Sequence, residues 1–358
     1  MSPSPALPSV GAVGCALPPH YADQESLIAS LRAIWSREHF NLERLEDLHR
    51  SVLVKGRYLA LPVEQYAELT AFHSRNDAFI EVAQTLGQKA IETALAGAGL
   101  TARDIDHLFF VTVTGIAVPS IDARLVNRMG LRPDMKRTPI FGLGCLAGAA
   151  GLARATDYLR AFPDEIAVLL SVELCSLTLQ REDVSVANII ASGLFGDGAA
   201  AVVLFGANRK PPERTPRVLA TRSVFFPETE RIMGWDVVEG GFKVVLSPKV
   251  PALVREQLRP AMSAFLEQQG LGMEDIRHWI AHTGGPKVLK AMEEALELPA
   301  DALARSYTSL AETGNLSSAS VLFVLSELLA AKEGKPGEYG ILMAMGPGFC
   351  AELVLLQW

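Results

Sequence analysis

The 358-residue sequence has only four cysteines, Cys15, Cys145, Cys175 and Cys350, and no CxxC pair. So few cysteines, with no Cys/His spacing of the zinc-ligand kind, exclude a disulfide framework and argue against a structural zinc site. We therefore expect reduced thiols, no bound metal and a cytoplasmic protein.

The sequence also lacks a basic run and a long hydrophobic run. Its net charge is −7, which argues against a nucleic-acid binder. Every apolar segment is interrupted by glycine, proline or charge well short of a membrane span. The first thirteen residues have neither the basic nor the apolar region of a signal peptide. With 49% hydrophobic and 20% charged residues, the composition is that of a globular protein.

The sequence does contain an internal repeat. Residues 99–107 match residues 270–278, with Gly, Leu, Asp, Ile and His identical at an offset of 171. Each copy follows an amphipathic helical pattern and precedes an apolar run typical of a buried strand. Further pairs follow in the same order: 144–150 with 314–320 at an offset of 170, 166–172 with 339–344 at 173, and 198–205 with 348–356 at 150.

This repeat predicts an α/β protein of two duplicated halves. Alternating strands and helices favour parallel-rich sheets with helices packed outside them. We place the halves at 1–207 and 208–358, joined by a segment rich in Pro, Arg and Lys. A pseudo-twofold axis between them would put Cys145 and Asn315 at equivalent helix N-termini. His282 would end an equivalent strand, at the edge formed by the carboxyl ends of the strands, where the binding sites of such proteins lie.

Cys145 stands in the segment F-G-L-G-C-L-A-G, residues 141–148. Gly142 and Gly144 allow a tight turn with unusual backbone angles, and the N-terminus of the following helix favours a thiolate. A free cysteine is more often a buried structural residue. Here the glycines and the repeated geometry favour a nucleophile.

His282 and Asn315 are the candidate partners of this cysteine. His282 precedes T-G-G-P, a turn that allows close approach of a substrate, and a cysteine nucleophile needs an imidazole. A histidine ending an apolar strand is otherwise usually a core residue. Asn315, in E-T-G-N-L-S-S, either caps a helix or donates its amide to a developing oxyanion.

With G-L-F-G-D-G-A-A at 193–200 and G-P-G-F at 346–349, these motifs resemble the type III polyketide synthases. This chalcone-synthase-like family, in particular its bacterial branch, is matched from about Pro8 to the C-terminus. The resemblance implies a thiolase-like αβαβα fold, a homodimer, no metal or redox cofactor, and no carrier protein. It implies that Cys145 is loaded from an acyl-CoA and that malonyl-CoA extends the chain by decarboxylative Claisen condensation. His282 and Asn315 would then stabilise the enolate and the oxyanion.

The resemblance also implies further site residues. Phe195 matches the gatekeeping phenylalanine between the CoA tunnel and the cavity, and Val118 matches the residue that reaches across the dimer interface. The other cavity residues are Thr114, Cys175, Trp235, Val244, Ser317, Gly346, Pro347, Gly348 and Phe349. The candidate contacts to the CoA phosphates are Arg50, Arg57 and Lys287, whereas two other basic positions of the family are Glu43 and Glu46 here.

Three of these residues depart from the plant pattern. Val244 replaces a second gatekeeper phenylalanine, Cys175 a threonine, and Trp235 a glycine. The tryptophan would shrink one part of a close-packed cavity and the valine would open another. We therefore expect a medium- or long-chain fatty acyl starter and an alkylpyrone or alkylresorcinol product.

Two alternatives stay open on the sequence. A β-ketoacyl-carrier-protein synthase III shares the duplicated fold and the trio of Cys145, His282 and Asn315, but it usually has His-Gln-Ala-Asn where this chain has His-Thr-Gly-Gly-Pro. A non-catalytic acyl-binding protein is the other, and the intact trio argues against it.

Overall fold

A computed structural model describes residues 7–35 and 41–358 of the chain. Its strands are β1 Ser9–Ala16, β2 His20–Asp23, β3 Gly56–Leu59, β4 His107–Thr112, β5 Lys136–Phe141, β6 Ile166–Leu174, β7 Asp197–Phe205, β8 Arg217–Phe225, β9 Met233–Val238, β10 Gly241–Leu246, β11 Ile276–Ala281, β12 Tyr339–Gly346 and β13 Cys350–Gln357. Its α-helices are α1 Gln24–Trp35, α2 Leu42–Arg50, α3 Phe72–Ala98, α4 Ile121–Met129, α5 Ala147–Ala161, α6 Val186–Leu194, α7 Val250–Glu267, α8 Pro286–Leu296, α9 Ala304–Thr313 and α10 Ser320–Ala331. No helix within these ranges is long and apolar enough to cross a membrane.

Nine of the described strands form one sheet, in the order β11-β12-β13-β8-β1-β7-β6-β4-β5. Outward from the centre, β1-β7-β6-β4 and β8-β13-β12-β11 repeat the same order and directions. The two sets join at the pair of Ser9 and Arg217, beside which the Val10 N–H donates to Pro216 O and the Val218 N–H donates to Pro8 O, each at 2.9 Å. The predicted division at 207/208 lies between β7 and β8.

The expectation of parallel-rich sheets was wrong. Within the nine-stranded sheet that the structure describes, parallel pairing is confined to β4 with β5 and β6, and to β11 with β12. The last strand of each half, β7 or β13, runs back beside the preceding strand and is antiparallel to it. Antiparallel pairs therefore outnumber parallel ones in this sheet.

The repeated sequence motif forms the same turn in both halves. Before β4, the Asp104 carboxylate accepts the Thr101 backbone N–H at 2.7 Å. Before β11, the Asp275 carboxylate accepts the Gly272 backbone N–H at 2.8 Å. The aspartate that both copies retain thus satisfies a backbone donor that would otherwise lack a partner at the start of a helical turn.

Helices α5 and α10 form the central layer of the fold. Apolar side chains of both join those of β6, β7, β12 and β13 in one buried cluster. Helix α3 covers the outer face of one half-sheet, and α7 and α8 cover the outer face of the other. The result is the expected five-layer αβαβα arrangement. The close packing of α5 against the start of α10 requires a glycine at position 148, because a Cβ there would lie 2.2 Å from the Ser318 carbonyl oxygen.

Candidate active site

Cys145 lies in a short 3₁₀ turn, Gly144–Leu146, which leads directly into α5. Gly142 and Gly144 have φ of +95° and +54°, the left-handed conformation that favours glycine. A Cβ at Gly144 would lie 2.6 Å from Pro347, so the turn also packs tightly against the 346–349 loop. The sequence prediction of a glycine-dependent turn before the helix of Cys145 is therefore confirmed.

Asn315 precedes the equivalent turn, Ser317–Ala319, which leads into α10. Its Oδ1 accepts the Ser317 backbone N–H at 2.8 Å, and Ser317 Oγ donates to Cys145 Sγ at 3.7 Å. The structure therefore shows the capping role of the asparagine and leaves its role as a donor a prediction. Its side-chain oxygen caps the turn, and no described residue accepts a hydrogen bond from its Nδ2, which is left to act as a donor.

The backbone of Asn315 is tied to Phe195, at the end of α6. The two residues form an isolated parallel bridge. Asn315 N–H donates to Leu194 O at 2.9 Å, and Gly196 N–H donates to Asn315 O at 3.0 Å. Phe195 and Asn315 are thus held in one register.

His282 follows β11 and is only 3% exposed. Its N–H donates to Met343 O at 2.9 Å, and β12, which carries Met343, ends at Gly346. A Cβ at Gly346 would lie 2.9 Å from the Leu146 backbone nitrogen, so this strand end abuts the Cys145 turn. The Nδ1 of His282 has no hydrogen-bond partner among the described residues.

Burial keeps the thiol and the imidazole neutral. It raises the pKa of Cys145 to about 12, an effect that the Ser317 hydroxyl opposes and the nearby Glu173 reinforces. It lowers the pKa of His282 to about 4. Since neither group favours its charged form by itself, a thiolate–imidazolium pair would require the thiol proton to pass to the imidazole in a coupled step.

Glu173 is a functional candidate that the sequence interpretation passed over. It is fully buried in β6, and its Oε2 accepts the Val113 N–H at 3.1 Å and the Thr114 hydroxyl at 2.9 Å. Its Oε1 accepts the Ser318 hydroxyl. Burial raises its pKa to about 7. The sequence contained a signal for this residue, because an acidic side chain inside an otherwise apolar strand is rarely buried without a partner.

The structure brings four predicted cavity residues together. Phe195, Val244, Cys175 and Trp235 all line one cavity of about 250 Å³. Trp235 and Val244 are cross-strand neighbours in the β9–β10 hairpin, so these two departures from the plant pattern lie side by side.

Other predicted residues lie elsewhere. Val118, next to a cis peptide at Pro119, is 92% exposed and does not line this cavity. Phe349 is fully buried against Phe226, so it supports the 346–349 loop from the core and presents no side chain to a substrate. Thr114 points to Glu173.

The three candidate CoA contacts differ in availability. Arg50 is paired with Glu25 at 2.9 Å and with Glu46 at 3.4 Å. Arg57 is 2% exposed, donates to backbone carbonyls and lines the cavity beside Phe195, so its guanidinium is already engaged inside the protein. Lys287 is exposed at the start of α8 and stays a candidate.

We expect Glu173→Gln to change the pH dependence of stability. Because burial raises the pKa of the folded carboxyl, its stabilising contribution is complete below about 4.5 and is lost as the pH rises through 7. The variant has no such loss, so its free energy of unfolding should improve relative to wild type by about 1.4 kcal/mol per pH unit between these values.

Thermal and urea unfolding at pH 5, 6 and 7.5 would measure this difference. The control is Glu81→Gln, an exposed residue of α3, whose difference from wild type should stay flat. A flat difference for Glu173→Gln as well would contradict the assignment of a buried, partly protonated carboxyl.

Two family models match the chain. The model of the N-terminal domain of chalcone and stilbene synthases covers residues 4–209, and that of the C-terminal domain covers residues 217–358. Among curated proteins, 1,3,6,8-tetrahydroxynaphthalene synthase of Streptomyces peucetius subsp. caesius is 51% identical over 351 residues, 98% of this chain and 93% of that protein. A putative chalcone synthase of Bacillus subtilis is 36% identical over 355 residues, 97% of each chain.

Solved structures agree. The crystal structure of 1,3,6,8-tetrahydroxynaphthalene synthase from Streptomyces coelicolor A3(2), a bacterial type III polyketide synthase, superposes with a TM-score of 0.93 at 33% identity. The match covers 98% of this chain and 99% of that one. These matches set aside both alternatives left by the sequence, since the relatives are named polyketide-forming synthases. The chain belongs to the chalcone and stilbene synthase family and is a type III polyketide synthase.

Proposed function

We propose that the enzyme loads an acyl group from a CoA thioester onto Cys145 and extends it with malonyl-CoA. One observation carries this proposal. The thiol of Cys145 and the side-chain amide of Asn315 meet at paired helix starts, linked through Ser317 by contacts of 3.7 Å and 2.8 Å. A thiol and a free amide donor so placed suit attack on a thioester and stabilisation of the resulting oxyanion.

The proposed chemistry uses three side chains. His282 accepts the Cys145 proton, the thiolate attacks the thioester carbonyl, and CoA leaves as its thiol after taking up a proton. Malonyl-CoA then loses carbon dioxide, and Asn315 Nδ2 and His282 stabilise the enolate. The enolate carbon attacks the acyl-cysteine, and the Cys145 thiolate leaves. We propose that no metal, redox cofactor or carrier protein takes part.

Substitution of the trio tests this proposal. With carboxyl-labelled malonyl-CoA, His282→Ala and Asn315→Ala should lose labelled carbon dioxide release by about 10²-fold or more, because the enolate loses a donor. Cys145→Ala should lose all condensed product, whereas Cys15→Ala, a cysteine of β1, should retain it. Wild-type release in both donor variants would refute the mechanism.

We propose a polyhydroxylated aromatic product built from malonyl-derived units. The support is the 51% identity to 1,3,6,8-tetrahydroxynaphthalene synthase. That compound carries oxygen on alternate carbons, the pattern left when a chain of two-carbon β-keto units cyclises. A cavity of about 250 Å³ that includes the Trp235 indole suits a compact intermediate.

A fatty acyl starter giving an alkylpyrone or alkylresorcinol is the second candidate. One observation favours it. The cavity extends from Phe195 and Cys175 to α1 and the segment after β3, where its wall is largely aliphatic. The contributing aliphatic residues are Leu27, Leu31, Leu59, Val63 and Leu69. An alkyl chain would replace solvent along such a wall at a gain of about 0.8 kcal/mol per methylene.

A starter panel separates the two candidates. Incubation with malonyl-CoA alone should give an aromatic product by mass spectrometry, and added hexanoyl-, lauroyl- or palmitoyl-CoA should not redirect it. Trp235→Ala, which enlarges the cavity, should increase incorporation of the longer starters. Alkyl-substituted products as the main output of the wild-type enzyme would instead establish the second candidate.

We also propose that a second copy of the chain completes the site. Among the described strands, β5 pairs only with β4, and an open strand edge favours association with another chain. Apolar side chains flank it, among them Ile116, Val118 and Phe141, all exposed in the single chain. Val118 would reach the partner's cavity. Sedimentation velocity should give twice the mass of 38.6 kDa, and a fully active monomer would refute this.

A further inference from the structure

A buried arginine lies beneath both the gate and the catalytic asparagine. Arg57 belongs to β3, which packs against the end of α9 through a hydrogen bond from Lys55 N–H to Ala311 O at 2.8 Å. Arg57 Nη1 donates to Ser192 O at 2.5 Å and to Phe195 O at 3.2 Å. The guanidinium therefore holds the last turn of α6 where its chain reaches the gatekeeper.

The aliphatic stem of the same arginine confines the turn before Asn315. A Cβ at Gly314 would lie 3.1 Å from Arg57 Cγ and 2.8 Å from Leu194 O. Gly314 has φ of +75°, a conformation that glycine adopts without strain. The path of the chain into Asn315 is thus closed in by Arg57 on one side and by the end of α6 on the other.

The electrostatics favour a cation at this point. Helix C-termini attract positive charge, and Asp197, oriented by the N–H groups of Ala60 and Ser176 at 2.6 and 2.8 Å, supplies the nearby negative charge. Burial lowers the pKa of Arg57 to about 10, so it stays charged at neutral pH. Its Nε has no partner among the described residues.

We propose that Arg57 is a positioning residue for the condensation. It acts through Asn315 and Phe195, fixing the amide donor relative to Cys145 and the gate relative to the cavity. Lysine is a poor substitute, because one ammonium lacks the planar fork and the delocalised charge of the guanidinium. This inference rests on the proposed function, since its readout is malonyl-CoA decarboxylation.

The test compares Arg57→Met and Arg57→Lys with wild type in two assays. Decarboxylation of malonyl-CoA should fall about 10- to 100-fold in kcat, the cost of a donor misplaced by about 1 Å. The rate of Cys145 alkylation by iodoacetamide should stay within about threefold of wild type, because Arg57 does not contact the thiol. In an Asn315→Ala background, Arg57→Met should have less than twofold further effect, as expected for residues that act as a unit.

Arg259→Lys is the control. Arg259 of α7 also donates to a backbone carbonyl, of Ala295 at 3.3 Å, but it does not line the cavity and contacts neither α6 nor the Asn315 turn. It should not cause the selective loss of decarboxylation.

The inference is overturned if both Arg57 variants decarboxylate at the wild-type rate, or if alkylation falls in parallel with decarboxylation. It is also overturned if the losses from Arg57→Met and Asn315→Ala multiply. A wild-type enzyme that does not decarboxylate malonyl-CoA would instead defeat the proposed function itself, so the two failures are distinguishable.

Discussion

The site depends on the close approach of two helix starts. Gly148, in the first turn of α5, leaves room for the Ser318 backbone, whose carbonyl oxygen occupies the place of the missing Cβ. A larger side chain there would push the turns apart and break the contact between Ser317 and Cys145. The small residues of this part of α5 therefore determine whether a nucleophile and an amide donor can share one substrate.

The close approach of the two helix starts also buries the titratable groups around the thiol. This burial determines the charge state of the site. Cys145, His282 and Glu173 are all shielded from water, and each favours its neutral form more than it would in solution. Proton transfer from the thiol to the imidazole then costs the least free energy when the thiolate can attack a substrate carbonyl as it forms. The same low dielectric strengthens the interaction of the Asn315 amide with an oxyanion.

The sequence was informative where chemistry and local geometry coincide. The offset near 170 residues predicted equivalent turns at Cys145 and Asn315, because a repeat preserves the position of a helix start. The sequence analysis named Arg57 as a candidate CoA contact but did not predict its buried position. Its neighbours in sequence suggest an exposed loop, and only the packing of β3 on α9 shows a buried guanidinium. Phe349 was misjudged for a similar reason, since a motif gives the loop but not the direction of each side chain. Glu173 could be recognised in the sequence as an acidic residue within an apolar strand. Its hydrogen-bond donors could not, because they come from two distant segments.

The two halves differ where the function needs them to differ. The segment before Cys145 is a strand, β5, whereas the equivalent segment before Asn315 is a helix, α9. Ser306 of α9 donates to Ala281 O at 2.8 Å and so occupies the edge of β11 that corresponds to the position of β5. The strand leaves an open edge on one half, where a second copy can bind. The helix instead provides the surface against which β3 packs. Strand β3 in turn places Arg57 next to the turn before Asn315. One substitution of element type in an otherwise repeated fold thus separates the proposed association face from the face that supports Asn315.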